Sequence, residues 1–351
     1  MPMPLDTPTR LAALAAAAKA WQDPEFEPRE KAVRATLAAP NRFTEEAIAF
    51  AVNHHMHQLG SPTKLRTWQG DARSTAVRVG LIPEGAVPLD GVRALAAAWL
   101  SGHQPVVRLP VSSPYLLRAF AETVQAEGGP PSRFAVDDVH ALTQSEALVL
   151  VGRAEVVRAW HVLAAEAAIA PERIHARTRR FTIAVIDGTE DFDTRIRLAE
   201  DILLHEGLGE ANVVLLWAPG DLDADPFFEA LSGFRQIMPA HADTEGVLEM
   251  PRAFLKAAKQ PYAWGDGVLV SRGDPDVQAP GHLRWVVFDA PEHVVSWAIA
   301  HRDRLGGVVA TGAVAKRLGI PDDLRVEPGD AHRPRLGTPS DRALMAFLNG
   351  L

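Results

Sequence analysis

The first 70 or so residues carry the periodicity of amphipathic helices. The members of two apolar stripes are Leu11, Leu14, Ala18 and Trp21 in a first helix and Ile48, Val52 and Met56 in a second one. Asp6 or Thr7 can cap the start of the first helix, and Thr44 can cap the second. The run Gly60-Ser61-Pro62 ends the second helix. The pattern therefore predicts a helical N-terminal segment.

From about residue 76 short apolar runs alternate with helical stretches. The predicted strands are 77–82, 106–109, 147–151, 182–186, 213–217, 267–270, 285–288 and 307–310. The predicted helices between them are 92–100, 115–125, 155–168, 192–205 and 292–303. Strands that are apolar almost throughout, joined by helices, are typical of a parallel sheet covered on both faces. The pattern predicts an α/β fold in which ligands bind beyond the carboxyl ends of strands.

The organisation into domains is read from the turns. The turn residues Asp187-Gly188-Thr189 mark the expected boundary between two domains. The longest irregular stretch is 271–283. We expect an N-terminal unit at residues 1–188 and a second α/β unit at 189–315. We expect the C-terminal segment 316–351 to return to the first unit.

Composition and charge exclude several classes of protein. The 351 residues are 47% hydrophobic and 23% charged, as in an ordinary globular protein. The formal net charge is −8, so we do not expect the chain to bind nucleic acid. The chain begins without the basic and apolar regions of a signal peptide, and it has no apolar run of about 20 residues that could span a membrane. We therefore expect a cytoplasmic protein.

Several kinds of chemistry are also excluded. The chain contains no cysteine, so disulfides, thiolate metal sites and cysteine nucleophiles are impossible. It has no G-x-S-x-G, Walker A or H-E-x-x-H motif, and no lysine lies between Lys64 and Lys256. His54 and His57 share a helix face without a glutamate between them, so we interpret them as exposed helix residues and expect no metal site.

Residues 207–212, with the sequence GLGEAN, resemble a shortened dinucleotide fingerprint. The third glycine is missing, and the segment follows a predicted helix rather than a strand, so that interpretation fails. The two glycines instead indicate a tight helix-to-strand turn, which can serve as a helix cap or as a loop that faces a ligand.

Several ordered segments resemble bacterial acyl-CoA reductases, the family of the reductase subunit of the luminescence fatty-acid reductase complex. The matching stretches are EGAVPLDG at 84–91, LSGH at 100–103, EALVLVGRAEVVRAW at 146–160, RTRRFTIAVIDGTED at 177–191 and EDILLHEGLGEANVVLLWAP at 200–219, with a fainter match at 331–348. The resemblance implies an aldehyde dehydrogenase-like fold with two Rossmann-type three-layer α/β domains.

The resemblance also implies a mechanism that this chain cannot complete. In that family a cysteine thiolate attacks the acyl thioester, and hydride from NADPH reduces the acyl-enzyme to an aldehyde. The family's cysteine position is occupied by Glu210. A carboxylate is a poor nucleophile toward a thioester, and the mixed anhydride that it would form hydrolyses readily. The resemblance therefore predicts an acyl-CoA reductase homologue with lost or altered activity.

The cofactor residues implied by the resemblance lie after three predicted strands. They are Gly85, Val87, Pro88, Arg108, Gly152 and Arg153. Arg153 and Val151 replace a serine and a threonine of the family, and Gln104 replaces a lysine. Arg108 keeps a positive charge that can meet the ribose or the 2′-phosphate of NADPH, and Arg153 can add a phosphate contact.

The remaining site residues implied by the resemblance surround the turn. We expect residues 207–210 to face the cleft between the domains, and Asn212 to begin a buried strand that runs to Trp217, because residues 213–217 are uniformly apolar. His241 matches a family histidine that approaches the same cleft, although a structural role is equally compatible with the sequence.

Three functions remain open at this point. The first is the reductase homologue, with NADPH and acyl-CoA as ligands. The second is a non-catalytic binding or regulatory partner, in a homo-oligomer or a protein complex. The third is a thioester hydrolase in which Glu210, with a pKa raised by burial, acts as a general base.

Overall fold

The computed structural model describes residues 6–69 and 75–351, so the start of the chain, where the signal-peptide pattern was sought, lies outside the described residues. The chain divides into two compact units. The first unit comprises residues 1–179 and 335–351, and the second comprises residues 180–334. These limits differ from the expected boundaries at 188 and 315.

The first unit opens with the predicted helical segment. Its helices are α1 (Thr7–Ala20), α2 (Glu27–Leu37), α3 (Glu45–Leu59) and α4 (Pro62–Gln69). The carboxylate of Asp6 accepts a hydrogen bond from the Thr9 amide, and the Thr44 hydroxyl accepts one from Ala47. These side chains satisfy amides that a helix start leaves unpaired, so both predicted caps are confirmed.

The α/β part of the first unit follows. Its strands are β1 (Arg78–Ile82), β2 (Gln104–Arg108), β3 (Arg133–Ala135), β4 (Ala147–Gly152) and β5 (Ile174–Thr178). Its helices are α5 (Val92–Leu100), α6 (Tyr115–Ala126), α7 (Asp138–Thr143) and α8 (Ala154–Glu166). The sheet order is β3-β2-β1-β4-β5, and each strand is parallel to its neighbours. Helices α1, α3, α4, α5 and α6 contribute residues to its largest core.

The second unit is built on a wider sheet. Its strands are β6 (Phe181–Val185), β7 (Val213–Pro219), β8 (Tyr262–Gly265), β9 (Val268–Arg272), β10 (His282–Phe288), β11 (Leu305–Val309) and β12 (Arg325–Val326). Its helices are α9 (Phe192–Leu203), α10 (Asp225–Ile237), α11 (Thr244–Ala257), α12 (Pro291–Ala300) and α13 (Gly312–Leu318). The order is β12-β11-β6-β7-β10-β9-β8. Separate apolar cores cover the two faces of this sheet.

Two local features differ from the predicted pattern. Strands β8 and β9 are antiparallel, because Asp266 and Gly267 both have positive φ angles, of 48° and 68°, and form a tight hairpin turn between them. Helix α9 ends at Leu203, two residues before the predicted end at His205, because the chain turns left-handed there.

The chain ends with helix α14 (Pro339–Asn349), which belongs to the first unit. The Arg93 guanidinium donates to the Asp341 carboxylate at 2.8 Å, and a ring nitrogen of His103 lies 2.7 Å from the Leu348 carbonyl oxygen. Leu344, Met345 and Leu348 are buried in the main core of the first unit. No described helix is long and apolar enough to cross a membrane.

Candidate functional site

The carboxyl ends of β1 and β4 form the point where the strand order of the first sheet reverses. The chain runs outward from β1 to β2 and β3, then returns to the other side of β1 with β4 and β5. In open parallel sheets the loops that follow two such strands diverge and leave a crevice that holds ligands. The predicted cofactor residues Gly85, Val87 and Pro88 follow β1, and Gly152 and Arg153 end and follow β4.

The loop after β1 is fixed by its own contacts. The Gly85 amide donates to the Asp90 carboxylate at 2.7 Å, and Gly85 has a φ of +78°. A Cβ atom at Gly85 would lie 2.4 Å from Cβ of Pro110. Leu89 is buried and also has a positive φ, of 59°. The glycine is therefore required by the packing of this loop.

Charged side chains meet across the two loops. The Glu84 carboxylate lies 4.0 Å from Nε of Arg153 and 3.7 Å from a guanidinium nitrogen of Arg179. Arg153 also pairs with Glu155 at 3.3 Å. Arg153 is the N-cap residue of α8 and makes no side-chain capping hydrogen bond, so the first amides of this helix face the crevice without a side-chain cap.

Arg108 lies one strand away, at the end of β2. Its Nε donates to the Asp138 carboxylate at 2.7 Å, and another guanidinium nitrogen donates to the Leu109 carbonyl at 2.7 Å. Asp138 is the first residue of α7. The guanidinium is thus oriented by two partners while it remains partly exposed.

Arg179 is a residue of this charged cluster that the sequence interpretation did not select, whereas Glu84 begins the motif at 84–91 that it did select. Glu84 lies two residues after the end of β1, at a position that opens onto the carboxyl edge of the sheet. Arg179 follows β5, whose half-buried residues do not read as a strand.

Glu210, which the sequence resemblance places at a nucleophile position, lies at the amino-terminal edge of the second sheet. It stands three residues before β7, and its backbone carbonyl accepts a hydrogen bond from the Thr182 hydroxyl at 3.3 Å, at the start of β6. Glu210 is half-buried. The general expectation that ligands gather at carboxyl ends therefore does not apply to this turn.

A left-handed turn precedes Glu210. His205 and Glu206 have φ angles of 56°, and Gly207 has a φ of 71°. All three residues are buried. Left-handed backbone costs roughly 1–2 kcal/mol for each residue other than glycine, so two consecutive such residues store strain next to the candidate site.

Asn212 holds this turn closed from within. Its side-chain oxygen accepts the Gly209 amide at 2.8 Å, and its side-chain nitrogen lies 3.0 Å from the Ile202 carbonyl and 2.7 Å from the Leu204 carbonyl. These carbonyls belong to the end of α9, which has lost its next helical turn. Asn212 is fully buried and lies directly before β7, one residue ahead of the strand that it was expected to begin. Its contacts give it a structural role here.

A buried ion pair anchors the same turn. The two carboxylate oxygens of Glu206 accept from the two guanidinium nitrogens of Arg235, at 3.0 and 3.2 Å, and one of them also accepts from the Thr244 hydroxyl at 2.5 Å. Arg235 lies on α10 and Thr244 begins α11. The pair thus fastens the turn to two helices.

His241 lies just before α11. Its Nδ1 accepts a hydrogen bond from the Asp243 amide at 3.2 Å, and its carbonyl accepts one from Thr244 at 2.9 Å. These local contacts support the entry into the helix. Its approach to the cleft stays a prediction, as does the cleft-facing position of residues 207–210.

Asp201 is a second buried carboxylate near the end of α9. Its oxygens accept the amides of Gly329, at 2.6 Å, and Ala331, at 3.2 Å. Burial raises the pKa of Asp201 to about 8, against the lowering effect of the Gly329 hydrogen bond. The folded state therefore favours the protonated Asp201 side chain. The stability that this preference contributes is fully present below pH 3.8 and is lost as the pH rises through about 8.

We expect the second unit to lose roughly 2–3 kcal/mol of stability between about pH 6 and about pH 9, by linkage to this one proton. The measurement is urea unfolding across that range, compared with Asp201→Asn, which cannot ionise. The wild-type curve should fall relative to the variant. Curves that run parallel would show that Asp201 does not titrate there.

A polar pocket of ≈ 480 Å³ opens at the opposite, carboxyl edge of the second sheet. The residues lining it include Thr194, Arg197, Glu200, Thr311, Glu327 and Arg333. Glu200 is paired with Arg333 and Glu327 with Arg325, so two of its carboxylates are already neutralised within the protein. In the described part of the chain, no group of three or more His, Asp or Glu side chains is arranged to hold a metal ion.

Comparisons with solved structures identify the fold. An oxidoreductase from Marinobacter aquaeolei matches with a TM-score of 0.69 and 15% identity, covering 91% of this chain and 77% of that one. A NAD-dependent benzaldehyde dehydrogenase from Corynebacterium glutamicum matches with a TM-score of 0.67 and 14% identity, covering 98% and 84%. A salicylaldehyde dehydrogenase from Pseudomonas putida G7, complexed with salicylaldehyde, matches with a TM-score of 0.66 and 13% identity, covering 90% and 76%.

The chain therefore has the aldehyde dehydrogenase-like fold, as the sequence predicted. Identities of this size establish the fold alone. A scan against protein-family models and a search of curated proteins found no match, so the narrower acyl-CoA reductase assignment rests on the sequence motifs.

Proposed function

We propose that this chain is a nicotinamide-nucleotide-binding homologue of acyl-CoA reductases that does not carry out their thiolate-dependent reduction. One observation carries the proposal. The turn that leads from α9 into β7 has glutamate at the nucleophile position, and the chain contains no cysteine that could replace it. We therefore expect the protein to act as a binding or regulatory partner within a protein complex.

The loops at the crevice of the first sheet fit a nucleotide. The start of α8 offers amides and a positive dipole end for a phosphate, and the guanidinium groups of Arg153 and Arg179 lie beside it. The Glu84 carboxylate is suited to accept a hydrogen bond from a ribose hydroxyl. We expect Arg108 to meet the additional phosphate of NADPH. Such a cofactor supplies hydride transfer where an enzyme can use it.

The glutamate at position 210 argues against both the reduction and the hydrolysis of an acyl thioester. An acyl group on a carboxylate is a mixed anhydride, which water cleaves before hydride transfer, so Glu210 cannot stand in for the thiolate. Hydrolysis would need a carboxylate whose pKa is raised by burial, whereas Glu210 is only half-buried at its turn. We therefore favour binding over catalysis.

The test begins with cofactor binding. NADPH and NADH are titrated into the protein by calorimetry, and thermal unfolding is followed at saturating cofactor. We expect NADPH at about 100 times its Kd to stabilise the folded state by about 2.7 kcal/mol. The combined Arg108→Ala and Arg153→Ala variant should bind at least about tenfold more weakly. Arg158→Ala, an exposed arginine on α8, is the matched control and should bind normally.

The same samples are then given acyl-CoA. We expect neither NADPH oxidation nor release of CoA. Because the chain has no cysteine, a thiol reagent detects released CoA without background from the protein. Aldehyde formation that is abolished by Glu210→Ala would refute the proposal, and CoA release without NADPH oxidation would establish the hydrolase instead. Absence of binding by either nucleotide would refute the cofactor site.

A further inference from the structure

The second sheet has a crevice at the carboxyl ends of β6 and β11, which are neighbouring parallel strands. The chain leaves β6 through α9, whose residues Leu198 and Ile202 belong to the core on one face of the sheet. It leaves β11 through α13, whose residues Val314 and Leu318 belong to the core on the other face. The two connections therefore diverge, which is the arrangement that leaves a ligand-binding crevice in a parallel sheet.

The polar pocket of ≈ 480 Å³ occupies this crevice. Thr194 lines it from the first turn of α9, and Thr311 lines it from the N-cap of α13. Residues 327–330, which follow β12, also line it. Small-molecule sites in proteins have volumes of about 300–1,000 Å³. The pocket thus has the position and the size of a binding site, and all of its lining residues belong to the second unit.

The loop after β12 is held in shape by two carboxylates. Asp201 accepts hydrogen bonds from the amides of Gly329, at 2.6 Å, and Ala331, at 3.2 Å. Glu200 accepts one from the Arg333 guanidinium at 2.9 Å. This wall of the pocket is therefore formed before a ligand arrives, which lowers the entropic cost of binding.

Two charged groups of the pocket have no ionic partner in the described part of the chain. Glu200 and Glu327 are paired with arginines, whereas Arg197 and Asp330 form no ion pair with a described residue. The Arg197 Nε atom donates to the Asp193 carbonyl at 3.3 Å. Arg197 and Asp330 are both exposed. The pocket therefore offers one positive and one negative group to a ligand.

Gly329 brings these two groups near each other. A Cβ atom added at Gly329 would lie 3.0 Å from Cβ and 3.1 Å from Cγ of Arg197, so the stem of the arginine packs against this glycine. Asp330 is the next residue along the chain. The two charges are thus close in space without forming an ion pair, and one small molecule can bridge them.

We propose that this pocket binds a small aliphatic amino acid, with its carboxylate on Arg197 and its ammonium group on Asp330. A guanidinium donates paired hydrogen bonds to a carboxylate, and a carboxylate accepts from an ammonium group. None of the described residues that line the pocket is aromatic, so a nucleobase has no ring to stack on. Three carboxylates and two guanidinium groups line it, which disfavours a phosphate. The proposed nucleotide site belongs to the first unit and is separate.

The first test is a calorimetric titration of the full chain with four probes. L-alanine and γ-aminobutyrate carry both charges at different separations, whereas propionate and n-propylamine carry one charge each. We expect at least one amino acid to bind with a Kd of about 1 mM or tighter. It should bind about tenfold or more tightly than either single-charge probe, because each of those loses one charge-assisted contact.

The second test uses variants of the two charged residues with the amino acid that binds best. Arg197→Ala and Asp330→Asn should each weaken its binding by about tenfold or more, and Arg197→Lys, which keeps the charge, should weaken it less. All three change exposed side chains, and thermal unfolding without ligand checks that each variant is folded. The matched controls are Arg302→Ala and Asp274→Asn, exposed charges of the same unit outside the pocket, which should bind like the wild type.

Three results would overturn the proposal. The first is the absence of heat with both amino acids at millimolar concentrations. The second is propionate or n-propylamine that binds as tightly as the amino acids, since one charged group would then be sufficient. The third is amino-acid binding that Arg197→Ala and Asp330→Asn leave unchanged, which would show that the ligand lies outside this pocket.

Discussion

Replacing Glu206 with glutamine is expected to destabilise the second unit by about 3–5 kcal/mol, because a buried guanidinium is left without its counter-charge. Glu206 and Arg235 are both nearly inaccessible to solvent, and their two hydrogen bonds are joined by a third from Thr244. Glutamine offers one acceptor and turns an N–H group toward Arg235. The measurement is urea unfolding followed by tryptophan fluorescence.

The control is Glu327→Gln, which removes an ion pair with Arg325 that is partly exposed. Exposed pairs contribute about 0–1 kcal/mol, so this variant should unfold almost like the wild type. A Glu206→Gln variant that loses no more stability than the control would show that the buried pair does not hold the turn. The pair also explains why a residue with a side chain occupies a left-handed position at residue 206.

Replacing Gly207 with alanine is expected to have a comparable effect for a different reason. Gly207 has a φ of +71°, and an added Cβ would lie 2.5 Å from the backbone nitrogen of Gly281, just before β10. Neither backbone segment can yield without shifting a strand end. We expect a loss of about 3 kcal/mol or more, since the left-handed penalty adds to the clash. Thermal unfolding should show it as a drop of several degrees.

Gly319→Ala separates the two causes. Gly319 has almost the same φ, +69°, but an added Cβ would meet nothing within 4 Å. This variant should therefore show only the conformational cost, about 1 kcal/mol. If both variants lose equal stability, the close approach between residues 207 and 281 adds nothing to the cost of the Gly207→Ala substitution. The backbone at this turn would then be able to shift and accommodate the added Cβ.

The sequence predicted the inner strands of both sheets and missed the outer ones. All eight predicted strands are present, within a few residues of their expected limits. The four that were missed, β3, β5, β8 and β12, are the edges of the two sheets. An edge strand has a neighbour on one side only. All four are partly exposed, and β3, β8 and β12 are also shorter than five residues. Such strands lack the continuous apolar run by which a central strand is recognised.

The strands and turns that carry the candidate residues were predictable, whereas the local backbone geometry around them was not. Motif order placed Glu210 at a turn before a buried strand, and Gly85 and Gly152 after two strands that prove to be neighbours. The left-handed turn at His205 and Glu206 could not be predicted, because residues other than glycine enter that conformation only when tertiary contacts impose it. The partners of Asn212 likewise come from a helix end that periodicity did not locate.

The return of the C-terminal segment to the first unit has a consequence for biosynthesis. Residues 180–334 form the second unit without interruption, whereas the first unit needs residues 335–351 to cover its core. A ribosome therefore synthesises all of the second unit before it adds α14, which the first unit requires. Until then Leu95, Trp99 and their neighbours lack the packing of Leu344 and Leu348. The first unit therefore cannot complete its core until α14 has been made, and during that interval it exposes apolar surface that chaperones recognise.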